Sequence, residues 1–136
     1  MTAKILLTAS LALLLATAAT AKTTAVIGHG VTLKGMGGKI AYASATAKGP
    51  KSVTAQVTAT PKQKVKIQWS MTCSKGGTSD ADGYNSSTTP KSGVSTVAAP
   101  ATLNLELPFT HPTACAVTVY STLSHSGKQT LLVLQT

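Results

Sequence analysis

From residue 39 onward apolar and polar side chains take turns along the chain, a period of two that belongs to strands with one face in a core and one in water. The clearest stretch is 64–73, where Val65, Ile67, Trp69, Met71 and Cys73 fall on one side and Lys64, Lys66, Gln68, Ser70 and Thr72 on the other. Successive side chains of a strand point to opposite faces. The spacing alone therefore predicts a row lining a core and a polar, basic row facing solvent.

The same alternation predicts further strands over 39–47 and 52–60, separated by the turn Lys48-Gly49-Pro50, with Pro61 ending the second ladder. Residues 74–90 read as loop, broken by Gly76, Gly77, Gly83, Asn85 and Pro90, and 93–98 as a weaker strand. Ala101, Leu103, Leu105 and Leu107 alternate with Thr102, Asn104 and Glu106. Cys115, Val117 and Val119 share a face of a strand running to about Leu123; a hairpin turn around Gly127 follows, and 130–135 closes the domain. About seven strands at hairpin spacing, with no helix after the first twenty residues or so, is the pattern of an antiparallel β-sandwich. Residues 22–38, rich in Gly, Thr and Lys, read as a loosely ordered leader in which only Thr24 to Ile27 and Val31 to Leu33 suggest short extended pieces, with 39–136 as the sandwich domain.

The N-terminus follows a different rule. Lys4 precedes an uncharged, Leu- and Ala-rich run over 5–15, and Ala19 and Ala21 occupy the two small-residue positions that a signal peptidase reads. Residues 1–21 are thus predicted to be a helical signal peptide, cleaved between Ala21 and Lys22. The run is shorter than the about 20 apolar residues of a membrane span, and no later stretch is long enough to be one. The expected location is secreted or extracytoplasmic.

The two cysteines, Cys73 and Cys115, then read as one disulfide, because the compartment outside the cytoplasm is oxidising. Chain-entropy arguments value a loop of about 40 residues at roughly 3–4 kcal/mol. Both cysteines lie on apolar rows, which predicts a bridge in the core near Trp69, placed to join the two sheets. With its 64–73 and 115–119 rows, a Gly-containing turn and the apolar 130–134 run, the chain resembles immunoglobulin-like sandwiches. It is similar to small exported bacterial proteins of unknown function that carry such domains. The resemblance implies the two-sheet fold only: in antibody-type domains the first Cys precedes the core Trp, whereas here Trp69 comes before Cys73.

Charge narrows the choice of partner. Past residue 21 there are 11 lysines, three acids (Asp80, Asp82, Glu106) and no arginine. Such a balance favours anionic neighbours, while the absence of Arg removes the planar fork used for bidentate base contacts. Sequence-specific nucleic-acid reading is therefore not expected. Lys62, Lys64 and Lys66, on or beside one strand face, are the candidate anion-binding row; the competing reading is a solvated strand whose lysines block edge pairing.

Other chemistry is poorly supplied. Asp80, Asp82 and Gly83 resemble the front of a calcium loop, but Thr89 stands where a bidentate Glu belongs, and a polar turn explains them as well. His29, His111 and His125 do not follow a zinc spacing. Three carboxylates are a thin inventory for a glycosidase, no serine-nucleophile motif occurs, and Gly35-Met36-Gly37-Gly38-Lys39 lacks phosphate-loop spacing. Of five aromatic residues, Trp69 and Tyr120 are expected to pack in the core, leaving no stacking platform for single-stranded nucleic acid. The expectation is a non-enzymatic module without cofactor or metal, associating with an anionic envelope polymer or an acidic protein. The alternatives are a structural or protein-interaction domain whose charge serves solubility, and a small secreted enzyme or inhibitor.

Overall fold

A strand that is apolar on one face needs a second apolar face to cover it, and the chain supplies two such layers. The computed structural model describes residues 23–76, 79–80, 83–84 and 87–136; the predicted signal peptide and Asp82 lie outside them. Eleven strands are described: β1 (Ala25–His29), β2 (Val31–Thr32), β3 (Ile40–Lys48), β4 (Val53–Thr60), β5 (Lys64–Lys75), β6 (Ser79–Asp80), β7 (Gly83–Tyr84), β8 (Ser87–Ala98), β9 (Ala101–Leu105), β10 (Ala114–Leu123) and β11 (Lys128–Gln135). One antiparallel sheet has the order β1-β11-β4-β9, the other β2-β3-β10-β5-β8, and β6 and β7 pair as a two-stranded ladder. Among the described residues there is no helix.

The predicted rows become the core. In β5 the odd-numbered residues from Val65 to Cys73 are buried and the even-numbered ones from Lys64 to Thr72 exposed. Val53, Ala55, Val57 and Ala59 of β4, Val117 and Val119 of β10, and Leu131 and Val133 of β11 join the same cluster. Burying each large aliphatic side chain contributes about 1.5–3 kcal/mol. Among the described residues the one buried polar residue, Ser121, sits within this layer and is satisfied: its hydroxyl meets Gln129 Oε1, and Gln129 Nε2 donates to Ser121 O at 3.1 Å and Lys39 O at 2.9 Å.

Four expectations are corrected by the fold. Residues 22–38 are not merely a loosely ordered leader: the two short extended pieces read there overlap β1, which pairs with β11, and β2, which pairs with β3. Both are short edge strands with mostly exposed side chains, so they carry no alternation to read. Gly30 lets the chain cross from one sheet to the other, since a Cβ there would stand 2.5 Å from the Leu131 Cβ. Secondly, β8 begins at Ser87, inside the stretch read as loop, and pairs with β5 along its whole length, from Lys75↔Ser87 to Lys64↔Ala98. Its first four residues are exposed, which erases the period of two, and Pro90 is tolerated because β8 is an edge strand.

Thirdly, residues 124–127 do not form a hairpin. They form an arch that carries the chain from β10 in one sheet to β11 in the other. Finally, the disulfide is present but joins neighbours within one sheet. Cys115 and Cys73 face each other in the β10–β5 ladder, with Cα atoms 4.0 Å apart. That approach marks a non-hydrogen-bonded pair, in which facing side chains come closest. The two sheets are therefore held to each other by packing and by the chain connections.

Candidate functional site

Strand direction decides where the lysines go. β3, β5 and β11 start, and β10 and β8 end, at the same end of the sandwich, a placement fixed by the antiparallel ladders. Backbone bonds tie that end together. Leu123 N donates to Lys39 O at 2.9 Å, Ser124 N and Oγ donate to Lys64 O at 3.3 and 2.6 Å, and His125 N donates to Gln63 Oε1 at 2.7 Å. Lys62 lies in the link from β4 to β5, Lys128 opposite Thr60, and Lys34 in the turn of the β2–β3 hairpin, where Leu33 N donates to Ile40 O.

Lys34, Lys39, Lys62, Lys64, Lys66 and Lys128 are all exposed there. The described carboxylates lie elsewhere. Glu106 follows the far end of β9 and binds Lys91 Nζ at 3.0 Å, while β6, which carries Asp80, extends from the far end of β5. An exposed pair such as Lys91–Glu106 contributes about 0–1 kcal/mol, but it does occupy one cation and one of the few acids. The described residues thus form a cationic end to which they contribute no carboxylate, whereas Lys48, Lys51 and Lys75 lie at the end that also holds Glu106.

Lys62, Lys64 and Lys66, singled out from the sequence, belong to this end. Lys34, Lys39 and Lys128 were not legible as members, because their convergence comes from strand topology and not from local spacing.

The basic end runs onto the outer face of the five-stranded sheet. Lys64 and Lys66 point outward from β5, and the next outward residue is Gln68. Gln68 faces Tyr120 of β10, and Tyr120 faces Tyr42 of β3. The rings of Tyr42 and Tyr120 have centroids 5.1 Å apart and planes tilted by 48°. Tyr120 is 40% exposed. The expectation that Tyr120 packs in the core is therefore wrong. The signal was present in the sequence, since Tyr120 directly follows the inward Val119 and strand alternation sends it outward.

The other candidates do not assemble. His29 lies on β1, His111 before β10 and His125 after it, so the last two stand at opposite ends of one strand. Among the described residues no group of three or more His, Cys, Asp and Glu can hold a metal. The calcium-loop reading falls on a segment of which only Ser79–Asp80 and Gly83–Tyr84 are described, paired Ser79↔Tyr84 and Asp80↔Gly83. Gly35 to Lys39 form the turn and exit of the β2–β3 hairpin. A cleft of about 260 Å³ at the far end, lined by Pro50, Lys51, Leu107, Phe109, Thr110 and His111, contains no carboxylate. Its polar side chains are a lysine, a threonine and an exposed imidazole. Among the described residues no helix is long and apolar enough to cross a membrane.

No family model matches the chain, and no curated protein matches it in sequence. Among solved structures it is similar to the crystal structure of PirA, with a TM-score of 0.34 and 16% identity over 71% of this chain and 83% of that one, a likeness that carries no argument about function.

Proposed function

We propose that this protein is an exported, non-enzymatic module that binds an anionic component of the cell envelope through its basic end. Lys62, Lys64 and Lys66 form the centre of the surface, and Lys34, Lys39 and Lys128 extend it. The carrying observation is the convergence of six lysines from three separate segments, 34–39, 62–66 and the start of β11, on one end of the sandwich, with Glu106 and the Asp80 segment at the other. Convergent like charges that no described carboxylate neutralises raise the local concentration of anions and steer them inward. The disulfide fits an oxidising compartment, in keeping with export. Two facing sheets linked by crossing connections fit an immunoglobulin-like sandwich in the broad sense, with a strand order of its own.

Retention of the protein on immobilised heparin or purified envelope polymer tests the reading. Binding is expected at low salt and should fall steeply as salt rises, with the K62Q/K64Q/K66Q variant eluting well before the parent. Equal elution of the two proteins would overturn it.

A second reading, protein interaction through a sheet edge, is favoured by β8. This twelve-residue strand closes one side of its sheet, with Val94 59% exposed and no charge from Ser92 to Ala98. Such an edge can accept an added strand. Capture of one partner that survives high salt and is lost in a Val94→Pro variant would support this reading instead.

A further inference from the structure

We infer that the tyrosine pair on the outer face of the five-stranded sheet is a sugar-stacking subsite, and that the anionic ligand is a polysaccharide bearing carboxylates. The inference rests on the anion-binding reading above and specifies its ligand. Tyr42 and Tyr120 form a close-facing pair by the same logic that governs the disulfide. On β10, even-numbered residues bond backbone to β5, as Ser124 N does to Lys64 O, and odd-numbered ones to β3, as Leu123 N does to Lys39 O. Tyr120 is therefore a non-hydrogen-bonded neighbour of Tyr42, the arrangement that brings facing side chains nearest.

A cross-strand aromatic pair adds only about 0.2–1 kcal/mol to a sheet, and core burial would have added more. The pair instead stands on an outward face with Tyr120 open to solvent. Aromatic faces are electron-rich, and the C–H groups on one side of a pyranose ring carry the complementary partial charge.

The surroundings favour a sugar over a nucleic acid. Beside the pair stand Gln68, facing Tyr120, and the facing residues Ser70 and Thr118 one rung further from the basic end. Amides and hydroxyls both donate and accept, as a polyhydroxylated chain requires, whereas a phosphate backbone needs donors alone. One rung towards the basic end, Lys66 lies diagonal to Tyr120 on the neighbouring strand, about 7–8 Å away in such a ladder. A ring stacked on Tyr120 thus has an ammonium within reach of its own carboxylate or that of the next sugar. Charge-assisted bonds of this kind are the strong ones. The positive charge of the end complements a polyanion, and the stacking pair beside it selects one built from rings.

Calorimetric titration with polygalacturonate, polyphosphate, neutral dextran and oligo-dT, repeated with Tyr120→Leu, Tyr120→Phe and Lys66→Gln, tests this. Polygalacturonate is expected to bind most tightly, with Tyr120→Leu weakening it about tenfold, equivalent to about 1.4 kcal/mol. Tyr120→Phe should retain most of the affinity, and Lys66→Gln should weaken both polyanions. Polyphosphate binding should be unchanged by Tyr120→Leu, which also shows that this variant is folded. If Tyr120→Leu leaves polygalacturonate binding intact while polyphosphate still binds, the sugar subsite is overturned and anion binding stands. If neither polyanion binds, both readings fall. A larger Tyr120 effect on oligo-dT than on polygalacturonate overturns the sugar assignment in favour of single-stranded nucleic acid.

Discussion

Gly93 lies directly opposite Trp69 in the β5–β8 ladder, and a Cβ built on it would stand 2.7 Å from the indole Nε1 and 2.8 Å from Cε2. The indole, 9% exposed, uses the space that the missing side chain leaves. A glycine in a strand usually weakens it. Here it is the condition for seating the largest side chain in the layer.

Replacing Gly93 with alanine tests that relation. Strand propensity favours alanine slightly, but the methyl must displace a buried ring. Overpacking of this kind costs about 1–3 kcal/mol, so the denaturation midpoint should fall, with a change in Trp fluorescence. An unchanged or raised midpoint would show that the indole can shift freely.

The disulfide carries a different expectation from a bridge between layers. Cys73 and Cys115 are already neighbours in a ladder that runs from Ala114↔Ser74 to Leu123↔Val65. Reduction, or a C73A/C115A variant, should therefore cost about 2–4 kcal/mol through the freed loop of the unfolded chain while leaving the far-UV circular dichroism of the sheets intact. Loss of sheet signal at low denaturant would mean that the bond determines the pairing and does not merely reinforce it.

These two contacts show what could be read from the residues and what could not. Alternation told which side of β5 faces inward, because that rule acts residue by residue, and it placed Trp69, Cys73 and Cys115 in the core correctly. It did not tell which strands are neighbours. Cys73 and Cys115 were expected to span two sheets and instead share one, since β10 lies between β3 and β5.

The same limit governs the candidate site. Lys64 and Lys66 were readable from one strand, whereas Lys39 reaches them only through the β3–β10–β5 pairing, and Lys128 only through the arch at 124–127, whose Ser124 bonds Lys64 O. The start of β8 was the other blind spot. Its first four residues are all exposed, so burial writes no period into them.

The Ser121–Gln129 contact near that arch predicts a structural cost. Ser121 is fully buried, and its hydroxyl is met by Gln129, whose amide also donates to the Lys39 and Ser121 carbonyls. Gln129→Ala leaves the buried Ser121 hydroxyl without its partner, and an unsatisfied buried group costs about 1–3 kcal/mol. The double variant S121A/Q129A should recover part of the loss, because the hydroxyl is then gone. A double-mutant cycle with no coupling would show that the bond contributes nothing.

The basic end itself predicts an unusual response of stability to salt. Lys34, Lys39, Lys62, Lys64, Lys66 and Lys128 repel one another in the folded state, and no described carboxylate relieves them. Unfolding disperses the segments that carry them. The repulsion is long-ranged when the Debye length is about 30 Å, at about 0.01 M salt, and weak when it is about 8 Å, at about 0.15 M. The thermal midpoint should therefore rise over that range, opposite to the trend of a protein held by surface ion pairs. K64Q/K66Q should start from a higher midpoint at low salt and lose more than half of the rise, since four charges leave only about six of the fifteen pairwise repulsions among six. A polyanion that binds this end should raise the low-salt midpoint of the parent more than that of the variant, by mass action on the folded state. A midpoint that falls with added salt, or a variant that responds like the parent, would mean that the six lysines are too far apart to act as one surface.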